Sequence, residues 1–500
     1  MKQYLLIATL SVAFAVTPFA QDNRNVMEEY EKFRNQAKKE YSDFRTRANA
    51  DYAHFMREAW KNFESEEAVP APVIPDNPVP PVIIPKDTPK PKPENKPLPI
   101  DTLIDKPVLP PAPPKPVAPI PEIKESQEQW FEFVFYGTPC RVRLSENRRF
   151  HLPDTETETL AEHWEKLSQP DYNNLINDCL ASREKLSLCD WAYLQLLATL
   201  CDTFLGASSN ESTFLQFFLL VQSGYKARLG QDNKGTIYLL YASDYSIYGK
   251  SYYRLDAGKF YLAKEPSEKS LHILNQPYEK EQTLSLLIPN AQQFSEKQSN
   301  ERTLVSEQYS SASVKILTNK NLIDFYDTYP ASTLNNDEST RWRFYANTPL
   351  SESAKQMLYP ALYQAIADKS EEDAANILLN FVQTAFVYEF DDKVWGGDRA
   401  FFAEETLYYP YSDCEDRAIL FSRLVRDLMH LEVVLLYFPG HLAAAVHFNE
   451  NIDGDYLTVA DKRFLVCDPT YINAPVGMTM EGYENKKITV VTLNNTESKK

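Results

Sequence analysis

Cysteine is sparse, six in 500 residues, which excludes a disulfide scaffold although the even count permits pairs. Positive charge is in deficit. Lysine and arginine total 52 against 70 aspartate and glutamate, a net charge of -18, so the chain has no electrostatic reason to seek nucleic-acid phosphates. Long apolar runs are almost absent: the one from Tyr4 to Phe19 is shorter than the roughly 20 residues that span a bilayer. No Cys-x-x-Cys spacing occurs among Cys179, Cys189 and Cys201, so buried thiols or one disulfide fit better there than zinc. Glycine numbers only 13 against 34 prolines. At 43% hydrophobic, the chain still has ample material for a sizeable core, and its length suggests more than one domain.

Met1 and Lys2, the apolar run and the small residue Ala20 before a polar stretch read as a signal peptide over residues 1–20. That reading makes the mature protein periplasmic or secreted. From residues 25 to 66 the chain repeats in elevens: Tyr30, Tyr41, Tyr52 and Phe63 recur in step with Phe33, Phe44 and Phe55, and with Ala37, Ala48 and Ala59. Eleven residues in three turns keep this stripe on one face of an amphipathic helix. Two readings of the stripe stand: it packs on its own chain, or it serves self-association or an envelope partner. A proline-rich linker over 69–122 follows, with 20 prolines in the 52 residues from Pro70 to Pro121. Such a segment is expected to be a semi-rigid polyproline rod that separates the helix from the rest.

Residues 126–345 read as an α+β domain. Trp130 to Leu144 is strand-like, Asp171 to Leu205 and Glu211 to Gln222 are helical, and Thr236 to Ala263 holds strands with turns at Gly249 and at Asp256-Ala257-Gly258.

The chemistry concentrates in 346–500. After Cys414, in Asp413-Cys414-Glu415-Asp416, apolar residues fall at Ala418, Phe421, Val425 and Leu428, on one face of a helix that Cys414 opens. A helix start lowers a thiol's pKa, while the three carboxylates beside it act the other way, so a thiolate there needs a positive partner. Histidines number seven, and two lie just downstream. Val433 to Phe438 reads as a strand, Pro439-Gly440 as its turn and Leu442 to Phe448 as the next strand, with His441 and His447 about 20 Å apart at ~3.3 Å per residue. One of them at most serves Cys414. Asp468, ending the short strand Phe464 to Cys467, is the candidate third member.

A cysteine opening a helix, a histidine beginning a strand and Asp468-Pro469-Thr470 ending another resemble the transglutaminase-like superfamily, with its papain-like Cys-His-Asp triad. The acidic box is similar to that of bacterial transglutaminase-like cysteine proteinases. The resemblance covers roughly residues 350 to 475 and implies a papain-like core in 346–500. It also implies a nucleophile at Cys414, a general base and acid at His441, and an orienting group at Asp468. Peptide or protein amides are the implied substrates, and no cofactor is required. In some of these proteinases the acids beside the cysteine bind calcium, which makes Asp413 and Glu415 candidate ligands.

The chain departs from the family pattern at Ser412 and His430, where glycines are usual, and at Ala443, where a tryptophan is common. Residues Asn210 to Arg228 resemble the same helix and strand entry with Asn210 at the nucleophile's place, so 126–345 is read as a degenerate copy. The expected function is an exported cysteine hydrolase; the alternatives are an inactive envelope scaffold of the same fold and a cross-linking acyltransferase.

Overall fold

In the computed structural model the described residues are 23–59, 66–73, 81–85, 95–104, 111–124, 129–266, 270–335, 337 and 339–494. The signal-peptide reading therefore lies outside them. They form an α+β protein whose two halves repeat one plan. In the first half, the helix Asn210–Gln222 precedes a six-stranded sheet in the order Glu66–Glu67, Ser270–Leu274, Ala227–Gln231, Ile237–Ala242, Gly258–Leu262 and Tyr252–Leu255. In the second, the helix Cys414–Leu424 precedes a sheet in the order Ile100–Ile104, Ile488–Thr492, Glu432–Phe438, His441–His447, Lys462–Cys467 and Tyr456–Val459. Helix, hairpin, second hairpin and returning strand fall in the same places in both.

The turns are where the sequence put them. Asp256 and Ala257 both take positive φ between paired strands, as a two-residue hairpin requires, and Gly440 at φ 80 turns the chain from Phe438 back to His441. The boundary at 346 is less clean than expected. The hairpin Arg302–Val305 and Ser313–Ile316 packs on Glu352–Ile366, whereas Ser332–Leu334 pairs back with Tyr245–Ile247 in the first half. The six cysteines are all free and all buried, so no disulfide forms.

The eleven-residue stripe forms the helix Asn23–Ala59, 37 residues long. Its C-terminal part is not held away from the body. Ala48, Tyr52, Ala53 and Met56 are buried, with the Tyr52 ring tilted against Trp164 at 4.7 Å and edge-on to Tyr278 at 5.6 Å. Arg45 donates to Gln222 and Asn173, and Arg57 pairs with Glu158 and Glu165. Among the described residues, no helix is long and apolar enough to cross a membrane.

The proline-rich linker also departs from the expected rod, because its described stretches run along the body as a strap. Proline lacks an N–H and cannot sustain a ladder, so the strap forms strands only where prolines lapse, and an isolated bridge at Pro97. Just before it Glu66–Glu67 joins the first sheet; within it Val82–Ile83 lies parallel to Tyr471–Ile472 and Ile100–Ile104 joins the second sheet. Elsewhere its free carbonyls are met by side-chain donors. Asn173, Asn174 and Asn177, from one helix, donate to Pro121, Ile123 and Ile120. At Gly224, φ 95, a Cβ would come within 2.0 Å of the Lys115 carbonyl, so only glycine lets the strap pass.

Removing the Tyr52 ring, by Tyr52→Ala, is expected to cost about 3 kcal/mol through the cavity it leaves against Trp164 and Tyr278. Guanidinium unfolding of the full chain measures it; a loss under 1 kcal/mol would mean that the helix is not docked.

Candidate functional site

Cys414 is the first residue of its helix, with Asp413 as N-cap. Asp416 closes the helix start, accepting the Asp413 N–H at 3.2 Å through one carboxylate oxygen and the Phe401 N–H at 2.8 Å through the other. Arg417 fixes the helix against its neighbours by donating to the carbonyls of Gln383 and Phe386 and to the Ser412 hydroxyl. Serine at 412 thus has a use that glycine would not serve. After a single π turn, Val425–Met429, His430 ends the helix in the left-handed conformation, φ 57, doing what a glycine commonly does there. This helix packs on the strand His441–His447.

The hairpin pairs Phe438 with His441, so His441 opens its strand. Its Nε2 lies 2.8 Å from Asp468 Oδ2, both side chains being buried. Asp468 is itself held, its other oxygen accepting the Thr470 N–H at 2.8 Å. Gln383, which the sequence did not single out, positions this loop: its amide donates to the carbonyls of Asp468, Tyr471 and Ala474 and accepts from the Asn473 N–H. His447 faces elsewhere, bonded to the Arg463 carbonyl.

The thiol and the imidazole do not hydrogen-bond to one another. Cys414 donates to Glu415 Oε2 at 3.0 Å, and His441 Nδ1 is buried with no hydrogen-bond partner among the described residues. Burial pushes the Cys414 thiol well up, Glu415 and Asp413 add to the shift, and the Leu442 N–H opposes it. In this arrangement the sulfur is a protonated thiol bonded to Glu415, while the imidazole is oriented by Asp468 with its other nitrogen open among the described residues.

Behind the thiol, Asp391, Asp413 and Asp416 bring oxygens within 4.8 Å of one another, as do Asp391, Asp398 and Glu415. Burial, then the neighbouring carboxylates, raise Asp413 and Asp416 well above the carboxylate range. Asp391 is pushed up to about 8 and Glu405 to about 7, burial leading in both. One oxygen of Asp413 is buried without a hydrogen-bond partner among the described residues. Asp413 and Glu415 belong to different all-oxygen groups, joined through Asp391, and meet within 4.8 Å only in a group that includes the Cys414 thiol; carboxylate oxygens of this kind suit a hard cation, a sulfur does not.

The site is roofed. Cys414 is 6%, His441 2% and Asp468 3% exposed. The ring of Tyr483 lies edge-on to the His441 imidazole at 5.1 Å, and its hydroxyl has no hydrogen-bond partner among the described residues. In the first half, Leu262 and Ser270 bound the equivalent connection, far shorter than that between Cys467 and Ile488. There Asn210 stands at the matched helix start, donating to the Gly235 carbonyl and accepting from the Ile237 N–H at 3.1 Å. Compared with known proteins, the chain matches no family model, no curated protein and no solved structure.

Two expectations follow from this geometry. Tyr483→Ala removes the roof, and the rate at which iodoacetamide alkylates Cys414 should rise at least tenfold, read by mass spectrometry of the Cys414 peptide. For pH, the folded state keeps protons on Asp391 and Glu405 that the unfolded chain releases near pH 4. Folded pKa values above unfolded ones give stability that is fully present below about pH 4 and lost as pH rises through about 7 to 8. The thermal midpoint should therefore fall as pH rises from about 4 to about 8 and level off above, and Asp391→Asn should flatten that fall.

Proposed function

We propose that the chain is an exported cysteine hydrolase of the transglutaminase-like type, acting on peptide or side-chain amides. The observation that carries this reading is the buried His441–Asp468 pair at 2.8 Å, with the other imidazole nitrogen unpartnered beside a strand-packed helix that Cys414 opens. The acidic box and the order of the three residues support the family; the papain-like core belongs to the same proposal, as does the reading of the first half as a degenerate copy that lost its nucleophile at Asn210.

In the proposed reaction the thiol leaves Glu415 and gives its proton to His441 Nδ1, and the sulfur attacks the amide carbonyl carbon. Asp468 holds the ring and balances the imidazolium charge. N–H groups at the helix start stabilise the oxygen that gains charge. The C–N bond breaks, the amine leaves with the proton from His441, and a thioester remains on Cys414. Water, losing a proton to His441, then releases the acid and restores the thiol. An amine in place of water would make the protein a cross-linking acyltransferase, and the acidic box favours hydrolysis. Calcium held by Asp413 and Glu415, with Asp391 and Asp416, would offset the mutual repulsion of the box. The inactive scaffold draws its support from the Cys414–Glu415 hydrogen bond and the roof, both of which keep the thiol from reacting.

The experiment is labelling and turnover with the full chain. An iodoacetamide probe should label wild type and not Cys414→Ala, and casein hydrolysis should fall at least a hundredfold in His441→Ala while His447→Ala keeps it. Equal labelling of wild type and Cys414→Ala would sink the enzyme reading. Calcium should raise the thermal midpoint and EDTA lower it, with Asp413→Asn blunting both; no response would remove the calcium site.

A further inference from the structure

The aromatic stripe is used only over half its length. From Ala48 onward it is covered by the body, but Tyr30, Phe33 and Tyr41 are 58%, 74% and 48% exposed. In proteins most helical stability comes from packing of an amphipathic face, and this part of the face has no cover among the described residues. The spacing of the stripe, Tyr30, Phe33, Ala37, Tyr41, Phe44, then Ala48, Tyr52 and Phe55, has a property beyond amphipathicity: it reads the same in both directions about Ala37 and about Ala48. Ala48 is buried in the body and Ala59 ends the helix, so Ala37 is the symmetric centre left open.

We infer that this segment is a homodimer contact, in which residues 30–44 of two copies cross antiparallel at Ala37. A two-fold axis through Ala37 sets Phe33 against the second copy's Tyr41 and Tyr30 against its Phe44. The small methyl at the centre lets the helices approach closely, with aromatic rings above and below it. Phe44 is half-buried and carries Lys280 5.3 Å from its ring centroid, so it forms the edge where the contact meets the body. Within residues 30–44 four lysines and arginines stand against three acids, so the two arms meet with nearly balanced charge and little net repulsion opposes the contact. The contact spans about 21 Å at ~1.5 Å per residue and is small, on the order of 1,000 Å² in total, so the dimer forms with concentration rather than permanently.

The test is sedimentation of the full chain, combined with oxidative cross-linking. The mass should move from monomer toward dimer by ~100 µM, as expected of a small interface. Phe33→Glu with Tyr41→Glu, both on the exposed face, should stay monomeric with an unchanged thermal midpoint. Ala37→Cys should form a disulfide dimer on oxidation, and Asn35→Cys, on the far side of the helix, should not. Phe33→Cys should not link to itself, since its two copies would sit about 12 Å apart, beyond disulfide reach. A monomer at ~100 µM, whether inert or bound to anionic phosphatidylglycerol vesicles through this face, would overturn the inference, as would self-linking of Phe33→Cys.

Discussion

Every residue of the helix Cys414–Leu424 is buried, including Glu415, Asp416, Arg417 and Arg423. A helix with four ionisable side chains and no solvent face is tolerable only if each is met from within by hydrogen bonds, an opposite charge or a retained proton. Arg417 draws in the end of the helix Glu371–Thr384, and Arg423 reaches the Ala346 carbonyl. Glu415 and Asp416 draw in the thiol and the Phe401 amide. Because Arg417 holds the Gln383 carbonyl while the Gln383 side chain holds the Asp468 loop, the nucleophile helix and the histidine's partner are tied through one residue. The helix start is thus fixed by many bonds, and the thiol it carries is held by Glu415.

Much of this was legible along the chain because it is local. The eleven-residue period gives a helix whichever partner it has, Asp256-Ala257-Gly258 and Pro439-Gly440 can only be turns, and the apolar spacing after Cys414 fixes which residue opens that helix. The order of Cys414, His441 and Asp468 was readable too, and two of the three meet in a hydrogen bond.

What escaped the sequence is non-local. The prolines declared an extended conformation correctly, but composition says nothing about which asparagines, some fifty residues on, will meet their carbonyls. Gln383 looks like any helix glutamine until three carbonyls from one loop converge on it. Tyr483 belongs to no motif, and its importance comes from the ring it covers. The thiol's preference for Glu415 over His441 is likewise a matter of rotamer and field rather than of order along the chain.

The two sheets, alike in strand order, both take an edge strand from the N-terminal part of the chain, Glu66–Glu67, just before the strap, for one and Ile100–Ile104, within it, for the other. The second of these joins residues 388 positions apart, as in the Thr492–Ile104 bond. Such a pairing closes a loop of nearly the whole chain, and its entropic cost falls due only after everything between is in place. Without Ile100–Ile104 the second sheet presents an open edge of unpaired amides, the kind that recruits strands from other molecules. The strap acts as a seal on that edge, made from the far end of the chain. A chain that loses Ile488–Thr492 loses the strand against which that seal closes, and with it the protection of the edge.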